Sequence, residues 1–276
     1  MPRVLITGCS SGIGRALANT FRAAGHDVWA SARKPEDVAQ LAIEGFNAVQ
    51  LDVNDPTQLM HLFERLTHEG GGLDVLINNA GYGVMGPVLE AGAVNLQRQF
   101  ETNVSSVVGV TRALLSHLRR NNGLVINIGS VSGVLATPFA GAYCASKAAV
   151  HALSDVLRME LAPFGIRVME VQPGAIASSF AKNAIDQVEL LINEQSPWWP
   201  MREAIRQRTN FSRTNPTAAK QLAEAVLRAA QKTKPPALLR YGKSSRLMPF
   251  LAFWLPTGMR QKILMRRFGL KPTHTL

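Results

Sequence analysis

The stretch Thr7-Gly8-Cys9-Ser10-Ser11-Gly12-Ile13-Gly14 decides the fold of this chain. It follows a short β-branched run and precedes a segment with helical apolar spacing, so the local order is strand, glycine turn, helix. The three glycines allow a tight turn with close backbone approach, and the unpaired N–H groups at a helix start bind phosphate. The segment therefore indicates a dinucleotide site, although its spacing differs from the usual three-glycine fingerprint.

The rest of the chain repeats the alternation of strand and helix. Strands are predicted near 3–7, 27–32, 46–51, 73–77, 123–128 and 166–172, with helices near 12–24, 56–68, 93–119 and 142–163. This order predicts an α/β fold: a single-domain, Rossmann-type, doubly wound parallel sheet with helices on both faces. With 276 residues, 46% of them hydrophobic, the chain can bury the core of one such domain.

A second group of residues indicates proton transfer. Tyr143 and Lys147 lie four positions apart in an Ala-rich, helix-favouring segment, and this spacing places both side chains on one helix face. A free tyrosine has a pKa of about 10. We expect the Lys147 ammonium and an oxidised nicotinamide to lower the pKa of Tyr143 toward about 7, which would make its phenol a general acid or base.

Together these segments resemble those of the short-chain dehydrogenase/reductase family, from residue 3 to about residue 240. The glycine turn is similar to the family's TGxxxGIG, the segment 78–81 to its NNAG, and the segment 173–178 to its PGxxxT, with Ser178 where threonine is commoner. Ser130, Tyr143 and Lys147 have the family's catalytic spacing, and Asn103 completes its tetrad.

The resemblance implies a role for each of these residues. Tyr143 is the proton donor or acceptor, Lys147 lowers its pKa and holds the nicotinamide ribose, Ser130 hydrogen-bonds the substrate oxygen, and Asn103 holds a water that relays protons. A purely structural role stays open for two of them: Ser130 as a turn residue at a strand end, and Asn103 as a residue that bonds backbone inside its own helix. The resemblance also implies cofactor contacts from Gly8, Ser10, Ser11, Gly12, Ile13, Gly14, Arg33, Lys34, Asp52, Val53, Asn79, Ala80, Gly81, Tyr143, Lys147, Pro173, Gly174, Ile176 and Ser178.

The end of the second predicted strand favours NADP over NAD. An acidic residue about 20 residues past the glycines binds the ribose 2′-hydroxyl of NAD. This strand ends instead in Arg33 and Lys34, with no carboxylate, and two cations suit the 2′-phosphate of NADP. The hydroxyl of Ser11 matches one that holds the same phosphate in NADP-dependent family members. The alternative is that Arg33 is merely solvent-exposed.

The charge of the chain is concentrated at its end. Residues 1–224 carry 19 Lys and Arg and 19 Asp and Glu, whereas residues 225–276 carry 11 basic residues and no acidic one. Such asymmetry suggests an anionic partner. Nucleic acid is not expected, because the basic residues alternate with an apolar run at 247–256, and that run is too short to span a membrane.

The segment 257–269 is predicted to be a helix that Thr257 begins and Gly269 ends. Met259, Ile263 and Phe268 approximate one apolar face, with Leu264 beside them. One interpretation is a basic amphipathic extension, residues 241–276, that lies on an anionic membrane surface. The other is that the apolar face packs on the catalytic domain, residues 1–240, or on a second subunit.

The loop at about 179–215 is expected to cover the substrate. It combines apolar residues with basic ones, which suits a long hydrophobic alcohol or ketone, with an anionic end as one option. The tryptophans in this loop have an alternative role as lid core or dimer contact. The apolar members are Phe180, Leu190, Leu191, Ile192, Trp198, Trp199, Met201 and Phe211, and the basic members are Lys182, Arg202, Arg206, Arg208 and Arg213.

Function is thus predicted as NADP(H)-dependent hydride transfer on a small, lipid-like carbonyl or alcohol. The resemblance is strongest to the branch with 17β-hydroxysteroid and retinol dehydrogenases and acyl-dihydroxyacetone-phosphate reductases. The alternative is a cofactor-binding sensor or scaffold with little turnover. We also expect no metal site, a homodimer or homotetramer as is common in the family, and, since Met1-Pro2-Arg3 leads directly into the first strand, a cytoplasmic location, with the tail as an option for peripheral membrane contact.

Overall fold

The structure is a computed structural model that describes residues 1–178, 191–210 and 215–270. Within those ranges seven strands form one parallel sheet, in the order β3-β2-β1-β4-β5-β6-β7. The chain fills one half of the sheet with its first three strands and the other half with the remaining four. The strands are β1 (Arg3–Ile6), β2 (Asp27–Ala32), β3 (Asn47–Gln50), β4 (Val75–Asn78), β5 (Leu124–Ile128), β6 (Arg167–Pro173) and β7 (Leu238–Tyr241).

Helices connect the strands and cover both faces of the sheet. A turn of π-helix, Glu101–Ser105, joins α4 to α5, and α4 is interrupted at Gly92, whose φ is +70°. The described helices are α1 (Gly12–Ala23), α2 (Pro35–Ile43), α3 (Pro56–His68), α4 (Val88–Phe100), α5 (Ser106–Ala113), α6 (Leu115–Arg120), α7 (Gly141–Leu161), α8 (Arg202–Asn210), α9 (Ala219–Ala230), α10 (Leu247–Trp254) and α11 (Thr257–Arg267).

Alternate residues of each strand supply the two cores, because successive strand side chains point to opposite faces. Ile6 of β1 packs with Phe21 of α1 and with residues of α9 in one buried cluster. Leu5 of the same strand packs on the other face with Leu62 of α3 and residues of α5. This two-sided burial confirms the doubly wound architecture that the sequence predicts.

Several elements were not predicted. The described residues contain β7, α2, α8, α9 and α10 in addition to the predicted elements, and the single helix expected over 93–119 is divided among α4, the π turn, α5 and α6. Helix α11 matches the helix predicted between Thr257 and Gly269, and Gly269 has the positive φ, +70°, that often follows a helix end. No helix in the described ranges combines the length and the apolar character needed to cross a membrane.

Candidate active site

A cleft of about 960 Å³ lies at the carboxyl ends of the strands, where the loops that follow β1 to β6 meet. Its walls include Ser130 and every residue that the sequence analysis assigned to the cofactor. These residues come from the loops that follow six strands and from the helix α7. Ligand sites of open α/β sheets are built in the same way, at the carboxyl ends of the strands. Which of them contacts a cofactor, and how, stays a prediction.

The glycine turn is tied to the end of β4. Asn79 Nδ2 donates to the carbonyl oxygens of Thr7 (2.9 Å) and Gly8 (3.0 Å). In return the hydroxyl of Thr7 accepts the backbone N–H groups of Asn79 (3.0 Å) and Ala80 (2.9 Å). A Cβ on Gly14 would overlap the carbonyl oxygen of Gly8, so this position requires glycine. The backbone at the start of α1 therefore borders the cleft without side-chain obstruction, which fits a dinucleotide pyrophosphate.

The cleft wall after β2 carries charges of both signs. Arg33 and Lys34 are exposed and line the cleft, as predicted. Asp37, in the first turn of α2, lines it as well. The strand end itself carries no carboxylate, and the carboxylate on this wall comes from α2, a helix that was not predicted. Asp52 and Val53, which follow β3, form the adjoining part of the wall.

Ser130 and Tyr143 are linked by a hydrogen bond between their side chains. Ser130 follows β5 and is buried, and its hydroxyl also accepts the backbone N–H of Ser132 at 3.1 Å. Burial raises the pKa of Tyr143 to about 12, while the bond to Ser130 and the positive charge of Arg208 act in the opposite direction. Tyr143 therefore keeps its proton at neutral pH, a state suited to donating it.

Lys147 lies one helical turn beyond Tyr143, and its ammonium is directed to the end of β5 rather than to the phenol. Its Nζ donates to the carbonyl oxygen of Ile128 at 2.7 Å and stands 5.9 Å from the ring centroid of Tyr143. Burial lowers the pKa of Lys147 to about 8. The lowering of the Tyr143 pKa by Lys147 together with an oxidised nicotinamide stays a prediction.

Asn103 is buried in the π turn and does not line the cleft within the described structure. Its side chain accepts the backbone N–H of Tyr82 (3.0 Å) and donates to the carbonyl oxygen of Tyr82 (2.9 Å) and to Ser146 Oγ (3.1 Å). These bonds fix the loop after β4 against α7. They reach another loop and another helix, not the backbone of the helix that holds Asn103, and the relay role stays a prediction.

A buried polar network lies behind Ser130 and was not anticipated. His151 Nε2 accepts the backbone N–H of Ser130 at 3.4 Å and stands 3.1 Å from Glu170 Oε1. Gln172 donates to the same carboxylate at 2.6 Å and accepts from Arg240 Nε at 2.8 Å. Burial, with the positive charge of Lys147, lowers the pKa of His151 to about 4, so its ring is neutral at neutral pH.

The segment after β6 is hydrogen-bonded to the end of β7 and to the residues that follow it. Gly174 N donates to the carbonyl oxygen of Tyr241 (2.8 Å), and Ala175 N to that of Lys243 (3.1 Å). A Cβ on Gly174 would overlap the latter oxygen. Lys243, Ser244 and Met248 consequently line the cleft, although they lie beyond residue 240.

Apolar residues of the predicted lid segment pack around α7. Trp198 and Trp199 are partly buried in a cluster, termed here the lid cluster, that also holds Tyr143 and Cys144. Its further members include Met85, Phe139, Leu191, Ile192, Met201, Ile205, Leu264 and Phe268. Phe180, Lys182, Leu190, Phe211 and Arg213 lie outside the described residues.

The apolar face predicted for the last helix is divided in two. Phe268 is buried in the lid cluster and Leu264 packs beside it. Met259 and Ile263 are instead exposed, as are Phe253 and Trp254 of α10. Helix α11 and the residue after it thus pack one edge into the lid cluster, and the other edge is exposed.

Cys9, within the glycine turn, is fully buried. Its Sγ donates to the carbonyl oxygen of Ile6 at 3.2 Å, and its backbone N–H to that of Ser31 at 2.7 Å. Burial raises the pKa of this thiol to about 12. Cys9 therefore fills space between β1 and β2.

Known proteins resemble this chain over most of its length. Residues 2–189 match the short chain dehydrogenase family. The chain is 31% identical to the 3-ketodihydrosphingosine reductase of Bacteroides thetaiotaomicron (95% of this chain, 96% of the relative). It is 30% identical to the NADPH-dependent 1-acyldihydroxyacetone phosphate reductase of Saccharomyces cerevisiae (96% and 91%). The crystal structure of a short-chain dehydrogenase from Streptomyces avermitilis superposes with a TM-score of 0.77 at 30% identity (97% and 96%).

Proposed function

Because this chain belongs to the short-chain dehydrogenase family, and is therefore an oxidoreductase, we propose that it interconverts a hydrophobic, lipid-like ketone or aldehyde and its alcohol with NADP(H). The observation that carries the proposal is the Ser130–Tyr143 hydrogen bond in a cleft that the glycine turn borders. It combines a protonated phenol with a site for a dinucleotide.

In reduction, Tyr143 donates its phenolic proton to the carbonyl oxygen of the substrate. The Ser130 hydroxyl donates a hydrogen bond to the same oxygen as negative charge develops there. When bound, the nicotinamide cofactor supplies the hydride. For Lys147 we propose the two roles that the family resemblance implies: it would hold the cofactor ribose, and its positive charge would stabilise the tyrosinate that remains. In oxidation Tyr143 serves as the base.

The preference for NADP(H) is proposed from Arg33 and Lys34 on the cleft wall. Two flexible cations give a 2′-phosphate charged partners, and the relative from S. cerevisiae is NADPH-dependent. Asp37 on the same wall opposes this preference, because its carboxylate repels a 2′-phosphate. The preference for NADP over NAD therefore depends on which of these side chains contacts the ribose. Ser11 supplies a hydroxyl beside the same wall.

A lipid-like substrate is proposed from the lid cluster, which places apolar side chains beside Tyr143. Two relatives have lipid-related substrates in their names, a ketodihydrosphingosine and an acyldihydroxyacetone phosphate. The test is oxidation of NADPH and NADH by the pure protein with long-chain ketones, aldehydes, steroids and acyl-dihydroxyacetone phosphate. Turnover with NADPH and a long-chain carbonyl is expected. Cofactor binding without turnover would favour the sensor alternative.

We propose that residues 1–240 form the catalytic domain and 241–276 an extension, although the boundary lies within β7.

A homodimer or homotetramer is proposed from exposed apolar side chains on α4, α5 and α7, namely Leu89, Val94, Val108, Val156 and Met159. Light scattering with size-exclusion chromatography gives the oligomeric state, and Met159→Glu should reduce it.

The open edge of the extension is proposed to contact an anionic membrane surface. Phe253 is 80% exposed and Trp254 66% exposed, and the two rings are in edge contact at 5.3 Å. Exposed basic residues precede and follow these two rings in the chain, among them Arg246, Lys262 and Arg266. Aromatic residues flanked by cations bind the interface of an anionic bilayer.

A further inference from the structure

Arg208 is a buried cation in the active-site cleft that the proposed chemistry does not use. It lies on α8, its side chain is 6% exposed, and it lines the same cleft as Tyr143. It is close enough for its positive charge to act on the phenol of Tyr143. The other basic residues of α8, Arg202 and Arg206, are exposed.

The partners of the Arg208 guanidinium do not neutralise it. Nε and Nη2 both donate to one acceptor, the hydroxyl oxygen of Thr137, at 3.1 and 2.7 Å. The Cζ atom lies 5.6 Å from the ring centroid of Phe268. None of the ion pairs between described residues includes Arg208. A guanidinium has five N–H donors, and burying its charge without an anion is costly.

The surroundings of Arg208 define what would neutralise it. Phe268 belongs to the lid cluster, so the cation lies against the apolar wall proposed for the substrate chain. Thr137 also lines the cleft. A ligand that reaches both Tyr143 and Arg208 must carry a carbonyl or alcohol group and an acidic group within one molecule. The planar fork of a guanidinium binds phosphate and carboxylate through paired hydrogen bonds.

We propose that Arg208 is the anion-recognition residue of the substrate site, so that the preferred substrate is a carbonyl compound with an apolar chain and a phosphate or carboxylate group. The inference rests on the proposed function. The anion forms hydrogen bonds to the guanidinium, Thr137 orients it, and the carbonyl group lies at Tyr143.

The test compares matched pairs of substrates. One pair is a long-chain hydroxymethyl ketone and its phosphate monoester, and the other is a keto fatty acid and its methyl ester. The variants are Arg208→Met, which keeps the length but removes the charge, and Arg208→Lys, which keeps the charge but removes the fork. Arg228→Met, on the exposed side of α9, controls for net charge. Thermal unfolding and NADPH binding establish that each variant is folded.

In Arg208→Met, kcat/KM for the anionic member of a pair should fall by at least about 30-fold, and kcat/KM for its neutral partner by less than about threefold. Arg208→Lys should retain an intermediate preference, and Arg228→Met the full one. The pair of substrates that shows the larger effect tells whether Arg208 prefers a phosphate or a carboxylate group. Equal losses on both members would overturn the proposal and leave Arg208 as a residue that acts on Tyr143, and no loss on either member would overturn it as well.

Direct binding separates this inference from the proposed function. Dodecyl phosphate, dodecanoate and methyl dodecanoate have neither a ketone or aldehyde to reduce nor an alcohol to oxidise, and they are titrated calorimetrically into protein saturated with NADP⁺. If no carbonyl compound is turned over, the proposed function fails, and tighter binding of an anionic ligand than of methyl dodecanoate, lost in Arg208→Met, still supports the inference. Equal binding of the three ligands to the unaltered protein would refute it.

Discussion

Lys147 releases its proton at lower pH than Tyr143, although the two side chains share a face of α7 and free lysine is the weaker acid. Burial acts on both, lowering the pKa of the ammonium to about 8 and raising that of the phenol to about 12. Burial disfavours the charged form in each case. Between these two pH values the site holds a neutral amine beside a protonated phenol.

The first prediction follows from that order. For reduction, kcat/KM should be constant below pH 8 and fall by about tenfold per pH unit above it, because the Lys147 ammonium is lost while Tyr143 keeps its proton. Residual activity of Lys147→Arg should lack this decline, since a guanidinium does not titrate there. A profile of the unaltered enzyme that stays flat to pH 10 would contradict the assignment.

The proton donor is tested by Tyr143→Phe. Removal of the phenolic oxygen should lower kcat by about 100- to 10,000-fold while NADPH is still bound, because the ring and its packing are retained. Single-turnover kinetics with NADPH fluorescence measure both quantities. Ser130→Ala should lower kcat as well, by about tenfold or more, through loss of the hydrogen bond to the developing charge. Undiminished turnover in Tyr143→Phe would exclude the proposed mechanism.

Cofactor preference should depend on the opposing charges after β2. Arg33→Asp is expected to weaken NADPH by about 10- to 100-fold relative to NADH, the range for one charge-assisted hydrogen bond. Asp37→Asn should change the ratio in the other direction, because it removes the carboxylate on the same wall. Dissociation constants for both cofactors measure the ratio. An unchanged ratio in both variants would mean that this wall does not contact the ribose.

The glycine turn gives a prediction with a matched control. Gly14→Ala should abolish cofactor binding and lower the unfolding temperature, because its Cβ would overlap the carbonyl oxygen of Gly8 and the Asn79 side chain. Gly109→Ala, in α5, has open space around the added Cβ and should stabilise the helix by about 1 kcal/mol. Calorimetry and cofactor titration compare the two. Cofactor binding by Gly14→Ala at normal strength would show that the turn is not as closely packed as described.

Membrane contact is tested on the exposed residues of α10. Replacement of Phe253 and Trp254 by serine should reduce cosedimentation with phosphatidylserine vesicles by about tenfold or more, since both rings are exposed and would enter the interface. Ile43→Ser, at the end of α2, is the control, because Ile43 is an apolar residue that is 81% exposed. Point substitutions are preferable to truncation near residue 244, because Met248 and Phe268 contribute to the cleft and the lid cluster. Equal sedimentation of both variants would refute the contact.

Local patterns predicted the centre of the fold well. β-Branched runs followed by glycine or asparagine marked β1 and β4, and the spacing of Tyr143 and Lys147 placed both on one helix. The missed strand β7 has only four residues, with an exposed and half-buried alternation at the sheet edge. Helix α2 has nine residues and a single fully buried one, Leu41, so its apolar period is weak.

Contacts between distant segments escaped prediction for a different reason. His151 and Glu170 meet because α7 packs on β6, and nothing in either segment alone indicates the other. Arg208 lies in a strongly polar helix with two exposed arginines, and sequence does not distinguish the buried one. The pKa of Tyr143 depends on burial by the lid cluster, which no local spacing encodes.

Cys9 can be used as a chemical probe of how the glycine turn moves, because it lies within that turn. A thiolate is the reactive form of cysteine, and this thiol is both fully buried and held far from ionisation. An alkylating reagent can therefore reach it only when β1 and the turn separate from β2. The rate at which Cys9 is labelled measures how often that separation occurs, and its decrease on addition of a nucleotide measures how firmly the nucleotide closes the turn.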